Sequence, residues 1–282
     1  MLSAVRTAAP PFDLAVCVIV RNEGVRILEW LFYHYLLGFQ HFYVYDNDST
    51  DGLRERLAPF VARGVVTLTP WPGRGFPGPQ RRQIAHCLNT TNSTARWVGV
   101  FDVDEYVVYN RAAKPSRKAF STLFTKMEAS QHGAIIAPRF VFDSDGHDTP
   151  PPELTVRAYT RCNAVQSKRG KAFILTRAFV KMKGFHNVAV LPGWKIARRD
   201  RGLEIFHYQY RSRQECLLKA ADDHKANLGD DGRPDPSRMN WRLKKGAAFC
   251  DSPLQSPVMD RTLAEAPITG CVEQLIAAVT SR

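Results

Sequence analysis

No segment of the chain approaches the roughly 18 uninterrupted apolar residues that a membrane-spanning helix requires. Residues Met1 to Pro11 lack the apolar core of a secretory signal. These two absences predict that the chain as given is soluble and cytoplasmic, with peripheral membrane contact left open. The six cysteines (Cys17, Cys87, Cys162, Cys216, Cys250, Cys271) show no Cys-x-x-Cys spacing, which argues against a zinc site and favours buried free thiols. No internal repeat and no clean linker divides the chain. The expectation is a flexible N-terminus over residues 1–12 and one domain over 13–282. What is present fits that size. Hydrophobic residues make up 44% of the 282 and aromatics 11%, enough for a large core and too much for general disorder. Net charge is +12, with dense basic groups at Arg198 to Arg201 and Arg238 to Lys245. That balance suits phosphorylated ligands, an anionic acceptor, a membrane surface or nucleic acid, and does not choose among them. Asn89-Thr90-Thr91 and Asn92-Ser93-Thr94 have glycosylation spacing, a pattern common by chance.

The first third alternates. Leu14 to Val20 reads as a buried parallel strand, followed by Arg21-Asn22-Glu23-Gly24, with Asn22 as helix N-cap. Leu28, Leu31, Phe32 and Tyr35 then recur at helical spacing up to Gly38. Phe42 to Tyr45 and Val65 to Leu68 are two further strands, with a helix from Leu53 to Val61 between them. A Gly/Pro-rich loop from Pro70 to Pro79 precedes a helix over Gln80 to Leu88, and Trp97 to Phe101 is the fourth strand. Such alternation specifies a mostly parallel, Rossmann-like α/β sheet with helices on both faces, and ligands beyond the strands' carboxyl ends. The pattern changes after a helix around Phe120 to Met127. Ala134 to Phe142, Leu154 to Tyr159, Ala172 to Leu175 and Ile205 to Tyr210 read as strands, Gly146 to Glu153 as a loop and Gln214 to Asn227 as a helix. Leu228 to Ser237 reads as exposed, and Leu263 to Ala278 as partly helical.

Three polar clusters fall at strand ends: Arg21 to Glu23, Asp46 to Asp51, and Asp102-Val103-Asp104-Glu105. The last follows an apolar run and invites a cation, because crowded carboxylates repel unless one sits between them. Hard oxygen ligands there suit Mg2+ or Mn2+ with diphosphate oxygens completing the shell.

The chain resembles glycosyltransferases of the nucleotide-diphospho-sugar transferase (GT-A) fold, most closely family 92 and the related family-2-like group. The resemblance covers Cys17 to Lys219. It rests on Val20-Arg21-Asn22-Glu23 with Glu29-Trp30 and His34, Gly38 with His41 to Asn47, Ser49 with Asp51, and Gln80 with Ala85. It continues in Asp102 to Tyr106, Gly146-His147, Lys171, His186, and His207-Tyr208 with Ser212. Family 92 usually has Phe-Gly-Ser-Ser-Gly-His where this chain has Phe142-Asp143-Ser144-Asp145-Gly146-His147.

What the resemblance implies is transfer of a sugar from a nucleotide diphosphate, a UDP-sugar, to a glycan or other hydroxyl acceptor with inversion, helped by Mn2+ or Mg2+. Residues 13–110 would form the nucleotide-sugar half and 111–282 a mixed acceptor half. Arg21, Glu23, Asp46, Gln80 and Asp102 would contact the donor, while Asp102 and Asp104 would hold the metal, Asp104 directly. His186 is the preferred extra metal ligand over His207, and His147 and His207 are acceptor-side candidates. Asp143, Asp145 or Glu105 would serve near the acceptor, one of the first two as base. For Asp46 the alternative is an Asx-turn; for Glu105 it is an ion pair with an arginine; for Arg81 and Arg82 it is a solvated helix face. Trp194 and Trp241 would stack on a sugar, or else belong to the core. Two rival readings are an Asp-x-Asp phosphohydrolase, which would need its pair after the first strand, and a basic nucleic-acid binder. A catalytically dead relative is a third, opposed by the intact acidic triplet.

Overall fold

Val16 and Val18 point to one side of the first strand and Ala15 and Cys17 to the other, and all four are almost wholly buried. A strand apolar on both faces must be covered on both, and it is. In the computed structural model, which describes residues 9–73, 79–109, 117–163, 167–184, 186–198, 202–226, 258–260 and 273–276, this strand is β1 (Phe12–Val20). It is followed by α1 (Ile27–Leu37), β2 (His41–Asp46), α2 (Leu53–Ala62), β3 (Val66–Pro70), α3 (Pro79–Thr90) and β4 (Ala95–Val100). Leu31 of α1 and Leu57 of α2 share one core with Val16 and Val18, whereas Ile84 and Leu88 of α3 join Ala15 and Cys17 on the opposite face.

The second half comprises β5 (Glu105–Tyr109), α4 (Arg117–Ala129), β6 (His132–Val141), α5 (Thr155–Ala158), β7 (Arg161–Asn163) and β8 (Ser167–Leu175). Then come β9 (Phe179–Met182), β10 (Val188–Val190), β11 (Lys195–Arg198), β12 (Leu203–His207), α6 (Arg213–Ala226) and β13 (Val258–Asp260). The large sheet runs β3-β2-β1-β4-β8-β6-β12-β5, with β11 also on β6. β3, β2, β1 and β4 are parallel, and β8 enters antiparallel between β4 and β6. β5 lies antiparallel to β12, with His207 opposite Glu105. This is a GT-A-type α/β arrangement: a parallel first half continued into a mixed second half. Among the described residues no helix is long and apolar enough to cross a membrane.

Several local expectations change. Asn22 does not cap α1; it takes a left-handed conformation (φ 52°), and its Oδ1 accepts from Thr50 N–H at 3.0 Å. Gly24 N–H donates to Asp51 Oδ2 at 2.6 Å, so the loops after β1 and β2 are stapled together. The segment expected as a strand over Leu154 to Tyr159 is the short helix α5. The cause is a distant residue: buried Glu29 of α1 accepts from Thr155 N–H (3.1 Å), Thr155 Oγ1 (3.0 Å) and Val156 N–H (3.4 Å), satisfying the helix's first donors. Leu228 to Ser237 and Trp241 lie outside the described residues, and of Leu263 to Ala278 only 273–276 are described, as helix.

The thiol expectation is corrected as well. Cys17 of β1 and Cys87 of α3 form a disulfide with Cα atoms 6.2 Å apart, and Cys216 is also disulfide-bonded. Cys162 is buried and takes part in no disulfide. Partners separated by 70 residues leave no local spacing to read; packing of α3 on β1 makes the pair. A crosslink closing a loop of this size stabilises by about 2–4 kcal/mol. Reduction, or Cys87→Ser, is expected to lower the melting temperature by about 5–10 °C in calorimetry. An unchanged transition would mean that the bond contributes nothing. Buried disulfides belong to oxidising compartments, which does not favour the cytoplasm.

Candidate active site

The acidic triplet closes the turn from β4 into β5. Asp102 N–H donates to Glu105 Oε2 at 2.8 Å while Glu105 N–H returns a bond to Asp102 O at 3.0 Å. Each carboxylate then meets at least one cation. Lys171 of β8 places Nζ 2.6 Å from Asp102 Oδ2 and 2.9 Å from Glu105 Oε2. Arg139 of β6 reaches Glu105 Oε1 at 3.4 Å. Lys219 of α6 donates to Asp104 Oδ2 at 2.7 Å, and His207 Nε2 stands 3.3 Å from Asp104 Oδ1. Burial alone would raise the Asp104 carboxyl, but Lys219 and His207 outweigh it and hold it well below the usual range. Asp102 shifts the same way, with burial opposed by Lys171.

A capping box brings Lys219 to its place. Ser212 Oγ accepts from Glu215 N–H at 3.3 Å and donates to Glu215 Oε2 at 2.8 Å, fixing the start of α6. Glu215 and Lys219, four residues apart, then share one helix face. Arg211, just before the helix, grips both oxygens of Glu23 at 2.9 and 3.0 Å, tying α6 to the loop after β1. Burial would push Glu215 up, yet Arg211 and Arg26 bring its carboxyl below the ordinary value. The Ser212-x-x-Glu215-x-x-x-Lys219 pattern was readable in sequence as an anchored helix. Its target, Asp104, was not.

The structure sorts the expected site residues. Gln80 Nε2 donates to Asp102 Oδ1 at 2.8 Å, so these two come together. Arg21 lies at the same rim, with Nη1 3.5 Å from Asn47 O and a buried Nε that has no hydrogen-bond partner. Glu23 is engaged by Arg211. The Asp46 side chain is fully buried, accepting from Ser49 N–H at 2.9 Å and pairing with Arg54, which is the Asx-turn alternative rather than a base contact. Glu105 is likewise fully buried and holds cations and backbone, so it cannot reach an acceptor. Asp145 spends its carboxylate on Thr160 N–H, Thr160 Oγ1 and Arg161 N–H at 2.5, 2.9 and 3.2 Å, which leaves it no part as a base. Asp143 is half-buried, and burial together with neighbouring Asp145 raises its carboxyl. His147 bonds Ala158 O through Nε2 at 3.2 Å and packs edge-on against Tyr159, a structural placement. Arg81 and Arg82 are exposed on α3, and Trp194 is stacked under Arg177.

The histidine beside the acid pair is His207; His186 instead sets Nδ1 2.9 Å from Gly170 O. The Asp104–His207 separation of 3.3 Å is close to the edge, about 3 Å, of an octahedral shell with ~2.1 Å bonds. The other ring nitrogen is buried without a hydrogen bond, with Glu105 Oε1 3.9 Å away. These two residues fit a divalent cation. Asp102, taken by Gln80 and Lys171, does not join them. Among the described residues no cluster of three or more such ligands is present, so a cation here would need oxygens from a bound substrate.

The model of glycosyltransferase family 92 matches residues 12–233, and the chain belongs to that family. A family 92 glycosyltransferase of Oryza sativa subsp. japonica is 25% identical over 204 residues, covering 71% of this chain and 33% of that protein. The galactan β-1,4-galactosyltransferase GALS2 of Arabidopsis thaliana is 25% identical over 201 residues, covering 65% of this chain and 37% of its own length. The chain thus spans about a third of the curated relatives it matches. Among solved structures, Staphylococcus aureus TarS residues 1–349 in complex with UDP-GlcNAc aligns at 13% identity and a TM-score of 0.42, covering 78% of this chain and 69% of that one.

Proposed function

We propose that this glycosyltransferase moves a sugar from a UDP-sugar to a hydroxyl of a glycan or other acceptor, with inversion and with Mn2+ or Mg2+ held by Asp104 and His207. The observation that carries the reading is the Asp104–His207 pair at 3.3 Å, with Glu105 Oε1 3.9 Å from the other ring nitrogen. A divalent cation there supplies charge neutralisation for the departing diphosphate. The chain's own residues do the remaining work. Lys219 sits beside the pair, 35% exposed, and offers a further positive charge to the diphosphate oxygens. Lys171 and Gln80 hold Asp102 at the crevice, where it meets the ribose, and the unpaired Nε of Arg21 supplies a donor for the nucleotide. Asp143, its proton affinity raised by burial, accepts the acceptor hydroxyl's proton. The galactosyltransferase relative agrees with a sugar-nucleotide donor.

Melting curves with UDP, GDP and ADP, each with and without Mn2+, test this. A rise of about 5 °C with UDP plus Mn2+, and little with either alone, is expected. Equal shifts with every nucleotide in EDTA would overturn both the donor and the metal assignments.

A further inference from the structure

The net positive charge of this chain falls largely within one stretch of its sequence. Residues Leu154–Arg199 contain eleven of the 39 Lys and Arg and none of the 27 Asp and Glu, so the rest of the chain is nearly neutral. Some of these cations are already committed. Lys171 is buried against Asp102 and Glu105, Arg177 pairs with Glu128 at 2.6 Å, and Arg157 pairs with Glu273 at 2.6 Å. Lys181, Lys183, Lys195 and Arg198 are exposed, and the three lysines have no carboxylate partner among the described residues. They lie on the β9–β10 ribbon and the neighbouring β11.

The tip of that ribbon leans on the active site. Lys183 N–H donates to Asn187 O at 2.7 Å and closes the turn, and Arg198 Nη2 donates to Asn187 Oδ1 at 3.0 Å, fastening β11 to it. Within the same turn His186 Nδ1 contacts Gly170 O at 2.9 Å, and the next residue along β8 is Lys171, which holds Asp102 and Glu105. Lys181 and Lys183, two residues apart on the exposed ribbon, and Arg198, bonded to the ribbon's turn, therefore belong to the segment that touches β8 one residue before Lys171. Three like charges gathered without acids between them repel one another, and an anion in their midst removes that cost.

Resting on the proposed transferase reading, we infer that this segment holds the acceptor through a phosphate group: the substrate receiving the sugar carries phosphate a short distance from the reacting hydroxyl. Lys181, Lys183 and Arg198 supply the cationic cradle, and Asn187 sets the spacing of its members.

The test is calorimetric titration of inositol hexakisphosphate into the protein already saturated with UDP and excess Mg2+, so that the donor site is filled. The Lys181→Gln/Lys183→Gln/Arg198→Gln variant is expected to bind this probe at least tenfold more weakly while its UDP affinity stays unchanged and its melting temperature falls by no more than the loss of the Arg198–Asn187 bond accounts for. Equal probe affinity in the two proteins would overturn the inference. A parallel arm uses phosphatidylglycerol vesicles. Vesicle binding that the variant loses, with no soluble probe bound by either protein, would reassign the surface to a lipid bilayer and overturn the acceptor role. Failure of UDP to bind at all, with the probe difference intact, would overturn the donor reading and leave the phosphate cradle standing.

Discussion

Asp104→Asn is expected to lower sugar transfer, and Mn2+-dependent donor hydrolysis, by about 100-fold or more while moving the melting temperature only slightly. The asparagine keeps the shape of the side chain and its contact with His207. It removes the one carboxylate that faces both His207 Nε2 and Lys219 Nζ. Stabilising negative charge on a leaving diphosphate is worth several kcal/mol, so losing the group that anchors the counter-charge costs orders of magnitude in rate. Stability is spared because Lys219, 35% exposed, regains water when its partner is neutral. UDP release from a panel of UDP-sugars, with and without Mn2+, measures the effect. A variant as active as the parent would end the assignment of Asp104.

Lys171→Met should act the other way, mainly on folding. The Lys171 side chain is 5% exposed and bridges Asp102 to the fully buried Glu105. Burial alone would lower its proton affinity, but the two carboxylates outweigh that and keep it charged well above neutral pH. Removing one member of a buried pair strands the other charge, at about 3–5 kcal/mol. Asp102 is 34% exposed and loses less, so Glu105 carries most of the penalty. A fall of about 10 °C in melting temperature is expected. Adding Glu105→Gln to Lys171→Met should recover part of it, because the stranded charge is then gone. A single variant as stable as the parent would show that Arg139 alone suffices for Glu105.

How far the sequence reached depends on the range of the forces involved. The first four strands and their helices were legible because burial on both faces writes itself into consecutive residues, as at Leu14 to Val20. The acid triplet was legible for the same reason, as charge abruptly ending an apolar run. Its counter-ions were not. Lys171 lies 69 residues from Asp102 and Lys219 lies 115 from Asp104, and no local pattern announces such pairs. The helix at Thr155–Ala158 exists because Glu29 caps it across 126 residues, against a sequence that reads as strand. His207 was placed with the acceptor and His186 with the metal. Only the β12–β5 register, which sets His207 opposite Glu105, separates the two.

The grip of Arg211 on Glu23 has a consequence for anyone seeking a minimal fragment. A piece trimmed to residues 13–110 would keep the crevice floor yet strip away the guanidinium, the lysines and the imidazole that make its acids tolerable. Evolution, too, would find the two halves hard to shuffle apart, because each holds the ionic complements of the other.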